Sequence, residues 1–145
     1  MIRKFFCFLV VSMVSICSHS QSAAKKTPAD VIKRYERLVL EMKADSIAQL
    51  FTADAEIGHE GQPVIRGRDS IYSFLSSFKN IRVINNHDEI SSTSIKNDSA
   101  IVNGSYIQTV IVSGKDTVNV AGKFTANMIR DENNWLISKM KTRSN

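Results

Sequence analysis

The apolar residues of this chain change their spacing once, near residue 80, and that change restricts the fold more than any other feature. Before it, Val31, Tyr35, Leu38 and Met42 recur at helical spacing, with Ile32 and Val39 widening the stripe. Ile71, Tyr72, Leu75 and Phe78 repeat the pattern. Beyond residue 80 the period is two. Strands are expected near 81–95, 100–113, 117–130 and 135–141. Lys96-Asn97-Asp98, Ser113-Gly114-Lys115-Asp116 and Asp131-Glu132-Asn133-Asn134 supply the turns between them. On the third strand Val118, Val120, Phe124, Ala126 and Met128 share one face, and Asn119, Lys123, Thr125 and Asn127 the other. One side of the sheet is therefore dry and one wet. Helices followed by a long antiparallel meander predict an α+β domain with the helices on one sheet face.

Local signals place the boundaries. Thr27 is a cap, Pro28 suits the first helical position, and Asp30 suits the positive end of the helix dipole. A second short helix is expected from Asp45, its cap, to Phe51, burying Ile47, Leu50 and Phe51. Ala55 to His59 reads as a short strand, Gly61-Gln62-Pro63 as a turn, and Asp69 as the cap of a third helix. Gly67 suits a tight backbone before that helix.

The first twenty residues differ from the rest. Arg3 and Lys4 precede an apolar run from Phe5 to Ile16, and Ser18-His19-Ser20 offers small residues for cleavage before Gln21. This is the pattern of a secretory signal peptide, and the run is too short for a permanent span. Residues 21–27 read as a flexible leader and 28–145 as one domain. Export to the periplasm or the medium is expected, with lipid attachment at Cys17 as the alternative. Both cysteines, Cys7 and Cys17, fall in the leader, so the mature chain has no thiol for disulfides, nucleophilic catalysis or zinc. Removing Arg3 and Lys4 leaves 17 basic and 14 acidic residues, a charge of +3. No basic cluster alternates with stacking aromatics, so nucleic acid is not expected as a partner.

The stretch "YERLVLEMKADSIAQLFTADAEIGHEGQPVIRGRDSIYSF" resembles the nuclear-transport-factor-2-like superfamily, in its SnoaL-like and ketosteroid-isomerase-like branch. Asp45, Leu50-Phe51, Asp54-Ala55 and Ile65-Arg66-Gly67-Arg68-Asp69-Ser70-Ile71 with Phe74 carry the likeness. "GKFTANMIRDENNWLISKM", with Trp135 just past the turn, is similar to the family's last hairpin. The resemblance implies a cone of three N-terminal helices on a curved antiparallel sheet of about four to six strands, with a pocket at the open end. It also implies that Tyr35, His59, Tyr72, Tyr106, Phe124 and Trp135 line that pocket, with Glu60 at its rim.

Ketosteroid isomerases place a carboxylate base on the strand after helix two and a tyrosine donor on helix one. An ungapped comparison sets His59 and Tyr35 at those positions. An unperturbed imidazole titrates near about 6.5 and can act as a general base, and a phenol can donate to a developing enolate. The second oxyanion donor of that branch has no match near Val120-Ala121-Gly122. Structural readings stand beside these: Tyr35 as a core residue with its hydroxyl at the pocket edge, His59 as a polar strand end, Glu60 as a solvated turn. His87-Asp88-Glu89 reads as a solvated strand edge. No His-x-His or His-x-x-x-His spacing supports a metal, and no phosphate loop or dinucleotide fingerprint is present, so no cofactor is expected.

Three functions remain open from the sequence. The domain binds a small apolar or amphipathic molecule; it is an isomerase, cyclase or dehydratase using His59 and Tyr35; or it forms a homodimer through an exposed sheet face carrying Tyr106, Val110 and Val112.

Overall fold

The computed structural model describes residues 25–145. The expected signal sequence, its cleavage site and Cys17 lie outside the described residues. Helix α1 (Pro28–Leu40) starts as expected. Thr27 Oγ1 accepts from the Asp30 amide at 3.3 Å, while the Asp30 carboxylate accepts from the Thr27 amide at 2.9 Å. The two orphan donors are satisfied reciprocally.

Helix α2 (Ala44–Ala48) is shorter than expected. Its cap is Lys43, and Asp45 lies inside the first turn, where its charge still favours the dipole. Phe51 belongs instead to strand β1 (Phe51–His59). Its burial is as expected, at 0% exposed, but it is achieved by pairing with Ile137. A fully buried aromatic fits a helix end and a strand start equally well, so burial alone could not separate the two. The Phe51 carbonyl accepts from Nε and Nη2 of Arg68, at 3.0 and 2.6 Å.

After the turn at Gly61–Pro63 come β2 (Ile65–Arg66) and α3 (Arg68–Ser76). The α3 cap is Gly67, not Asp69. Gly67 has φ +88°, and its amide donates to the Ala55 carbonyl at 2.8 Å, so the backbone itself makes the turn.

Four long strands complete the sheet: β3 (Ile81–Lys96), β4 (Ser99–Val112), β5 (Asp116–Asp131) and β6 (Asn134–Ser144). The order is β2-β1-β6-β5-β4-β3. All neighbours are antiparallel except β1 and β6, which run parallel, so the six-stranded sheet is mixed. Extra residues in β1, β3 and β6 shift the register and bend it.

Core residues come from both layers. Val31, Ile32 and Leu38 of α1 cluster with Phe51, Val102, Phe124, Ala126, Met128, Ile137 and Met140. The dry face expected for β5 is therefore the helix-covered face. One expectation is corrected by register. Tyr106, Val110 and Val112 lie on this inner face, in phase with buried Ala100 and Val102, so they cannot form an exposed sheet patch. The apolar residues that β4 exposes are Ile101 and Ile107.

Candidate functional site

A cavity of about 320 Å3 opens between α1 and the inner sheet face. Four of the residues singled out from sequence line it: Tyr35, His59, Tyr106 and Phe124. Each arrives from a different element: α1, β1, β4 and β5.

Tyr35 is fixed by packing. Its ring meets that of Phe51 edge to face, with centroids 6.3 Å apart. Burial holds its phenol well above the ordinary range, and charge on Asp88 and Tyr106 pushes the same way. The phenol therefore stays protonated and available as a donor. Burial also raises the phenol of Tyr106. Tyr106 lies opposite Gly122 in the ladder, and a Cβ at Gly122 would come 2.7 Å from the Tyr106 hydroxyl. Only a missing side chain leaves room for the phenol there.

His59 ends β1 beside Thr142 of β6. Its Nδ1 is 2.9 Å from Thr142 Oγ1 and its Nε2 is 3.4 Å from Ser144 Oγ. The Thr142 hydroxyl donates to the Gly58 carbonyl at 3.5 Å. With Nδ1–H donating to that hydroxyl, the lone pair of the ring lies on Nε2. Glu60, the next residue, is exposed.

One functional group escaped the sequence reading. Asp88 was expected on a solvated edge, yet it lines the cavity with Asn86 and Gln108, while His87 and Glu89 are exposed. Burial pushes the Asp88 carboxyl up to about 7; the negative Glu36 adds to this and His87 opposes it. Asn86 donates to the Glu36 carbonyl at 3.1 Å and accepts from Gln108 at 3.2 Å, tying β3 to α1 and β4. Alternation through Asn86, Asp88 and Ile90 was the available signal, masked by register shifts at Val83/Asn85 and Ile90/Ser92.

Two expected lining residues are elsewhere. Trp135 is buried at the other end of the core, beside Val31 and Leu50, with the Arg130 guanidinium 4.7 Å over its ring. It is seven residues from Thr142 along β6, roughly 23 Å of extended chain. Tyr72 is 46% exposed, because α3 turns Ile71 inward and leaves the next position outside. Among the described residues no group of three His, Asp or Glu side chains is arranged to hold a metal ion.

A second, apolar cavity of about 280 Å3 adjoins the first and shares Tyr35, Val39 and Gln108 with it. Ile47, Ile57, Phe74, Leu75 and Phe78 line its far side. The arrangement offers a polar acid–base end and an apolar end, with Tyr35 between them.

Residues 23–141 match the family described as SnoaL-like domain. The chain belongs to that family. This SnoaL-like domain matches no curated protein. Its fold is shared with many solved structures. A ketosteroid isomerase-like protein from Erwinia carotovora atroseptica superposes with a TM-score of 0.72 at 15% identity, covering 80% of this chain and 92% of that one. A proposed scytalone dehydratase from Novosphingobium aromaticivorans gives 0.72 at 14% identity, covering 81% and 80%. A conserved protein from Planctomyces limnophilus gives 0.74 at 14% identity, covering 79% and 91%. At these identities the likeness is one of fold, and the chemistry of the SnoaL-like domain must be read from its own residues.

Proposed function

We propose that this SnoaL-like protein binds a small amphipathic carbonyl compound and moves a proton on it, using side chains alone. The observation that carries the reading is the meeting of an imidazole with a lone pair, a neutral phenol and a carboxyl raised to about 7 around one cavity. A purely passive apolar pocket has no use for that set. The adjoining apolar cavity suits the rest of such a ligand.

In this reading His59 Nε2 takes a proton from the carbon next to the carbonyl. The C–H electron pair moves into the carbonyl, and Tyr35 donates to the resulting oxyanion. Asp88, when protonated, is a second donor. Return of the proton from His59 to another carbon completes an isomerisation with no net gain or loss of atoms. The ketosteroid isomerase-like and dehydratase-like structures sharing the fold lend this chemistry precedent. The leader pattern of residues 1–20 supports export as part of this reading, and N-terminal sequencing of exported protein, expected to begin at Gln21, tests that.

Deuterium uptake from D2O into a panel of cyclic enones and β-hydroxyketones, read by mass spectrometry, tests the chemistry. Wild type is expected to exchange at least one of them, and His59→Ala to lose the activity. Exchange by His59→Ala at the wild-type rate overturns the assignment of the base. Native mass spectra showing a retained ligand with no exchange of it would reduce the function to binding.

A further inference from the structure

The sheet face turned away from the helices holds a cleft of about 850 Å3, which meets the first cavity at His59, Phe124 and Thr142. Its floor is the outer side of β5 and β6. Lys123 pairs with Arg143, Thr125 with Lys141, and Asn127 with Lys139. Their neighbours Phe124, Ala126 and Met140 are buried in the core, so the pleat sends these six side chains outward. The loop after β1 forms a wall: Val64 lies 3.4 Å from where a Cβ would stand on Gly58.

The cleft is lined by four cations, Lys123, Lys139, Lys141 and Arg143, against one carboxylate, Glu60 at its rim. Lys139 is held by Glu56 at 2.9 Å, a carboxylate that Lys139 and Arg66 lower to about 2. Lys123, Lys141 and Arg143 form no salt bridge with any described residue. Lys123 and Arg143 stand directly opposite each other, a like-charge pair that opposes folding unless an anion comes between. Concave walls concentrate such a field. Beside the cations runs a neutral polar row: Thr125 donates to Asn103 Oδ1 at 2.8 Å, and Asn103 Nδ2 donates to Ser92 at 3.1 Å.

We propose that this cleft binds an acidic oligosaccharide, with Lys123, Lys141 and Arg143 taking its charged groups and the lining Thr125, Asn103 and Ser91 meeting its hydroxyls. Charge complementarity selects an anion, and the row of hydroxyls and amides selects one that carries hydroxyls. Single-stranded nucleic acid fits less well, since bases seek broad aromatic faces and the cleft offers only the His59 ring and Phe124, which is 6% exposed. A planar bilayer does not reach a concave floor. A second copy of this face would set cation against cation.

Fluorescence anisotropy on the purified protein, with labelled hexamers at matched salt, tests the proposal. The probes are a galacturonic acid hexamer, its sulfated analogue, a neutral glucose hexamer and a DNA hexamer. At least one acidic sugar is expected to bind, with the neutral sugar silent and DNA weaker. Lys123→Glu and Lys141→Glu are each expected to weaken binding about tenfold or more, the worth of a charge-assisted hydrogen bond. Thr125→Val is expected to weaken it at constant charge, and Lys79→Glu, away from the cleft, to leave it unchanged. Unaltered melting curves show that the variants fold; Lys141→Gln replaces any that do not. Absence of binding to both acidic sugars overturns the proposal. So does DNA binding as tightly as they do, or indifference to Thr125→Val, since either result describes a merely charged surface.

Discussion

Asp88 of β3 and Tyr35 of α1 line the same cavity, and a negative charge on Asp88 makes the Tyr35 phenolate harder to form. The donor character of Tyr35 is thus built in by two neighbouring elements as well as by burial.

The first expectation concerns Asp88 and pH. Its folded-state pKa, about 7, lies above the 3.8 of the free side chain. The native state therefore binds this proton more tightly than the unfolded state. The corresponding stability is fully present below 3.8 and is lost as pH rises towards about 7. Asp88→Asn cannot ionise and escapes that loss. Thermal melts from pH 4 to 8 should show the variant gaining on wild type across the window. Parallel curves would remove the argument for a buried, proton-holding carboxyl.

Tyr35→Phe isolates the donor. It removes one oxygen and keeps the ring that packs on Phe51. Loss of one oxyanion donor costs about 100-fold or more in kcat. Stability should change little, and steady-state kinetics on any substrate found by exchange should show the fall in kcat rather than KM. A change confined to KM would make Tyr35 a binding group only.

Thr142 positions His59 without touching a ligand in the proposed chemistry. Thr142→Val deletes the hydroxyl paired with Nδ1 while conserving shape. Losing that hydrogen bond, worth about 1 kcal/mol, should slow exchange several-fold and displace its pH profile. Thr142→Ser should restore both. An unchanged profile in Thr142→Val would mean that the tautomer is set in some other way.

Gly122→Ala tests the packing of Tyr106. The added methyl meets the Tyr106 hydroxyl and the Arg143 carbonyl. Overpacking of this kind costs about 1–3 kcal/mol, measurable by urea unfolding. The double variant Gly122→Ala with Tyr106→Phe should recover only the part of the loss due to the hydroxyl at 2.7 Å, because the closer Arg143 carbonyl remains.

The fold was legible because two periodicities and good turn chemistry agreed over long stretches. The α1 cap and the four long strands fell within a few residues of expectation for that reason. Phe51 and Asp88 show where this fails. Phe51 is apolar enough for either neighbouring element, and its assignment depends on Ile137, a partner remote in sequence. Asp88 sits between two bulges, so counting in twos from either end of β3 gives no dependable face. His59 and Tyr35 were placed correctly because His59 ends a strand marked by the following turn and Tyr35 falls on the apolar stripe of a well-capped helix. Trp135 and Tyr72 were misplaced because aromatic character records burial or bulk, not which end of the core a residue serves.

The parallel pairing of β1 with β6 also sets a timetable for synthesis. His59 meets Thr142 from 83 residues away, so β1 has no sheet partner on its inner side until β6 has left the ribosome. Until then α1 has only β3 to β5 to pack on and β1 stands apart from them, and the arrival of β6 joins β1 to the sheet and completes the imidazole's surroundings in one event. A nascent chain stalled within β6 should accordingly be a target for chaperones, and one released beyond it a finished domain.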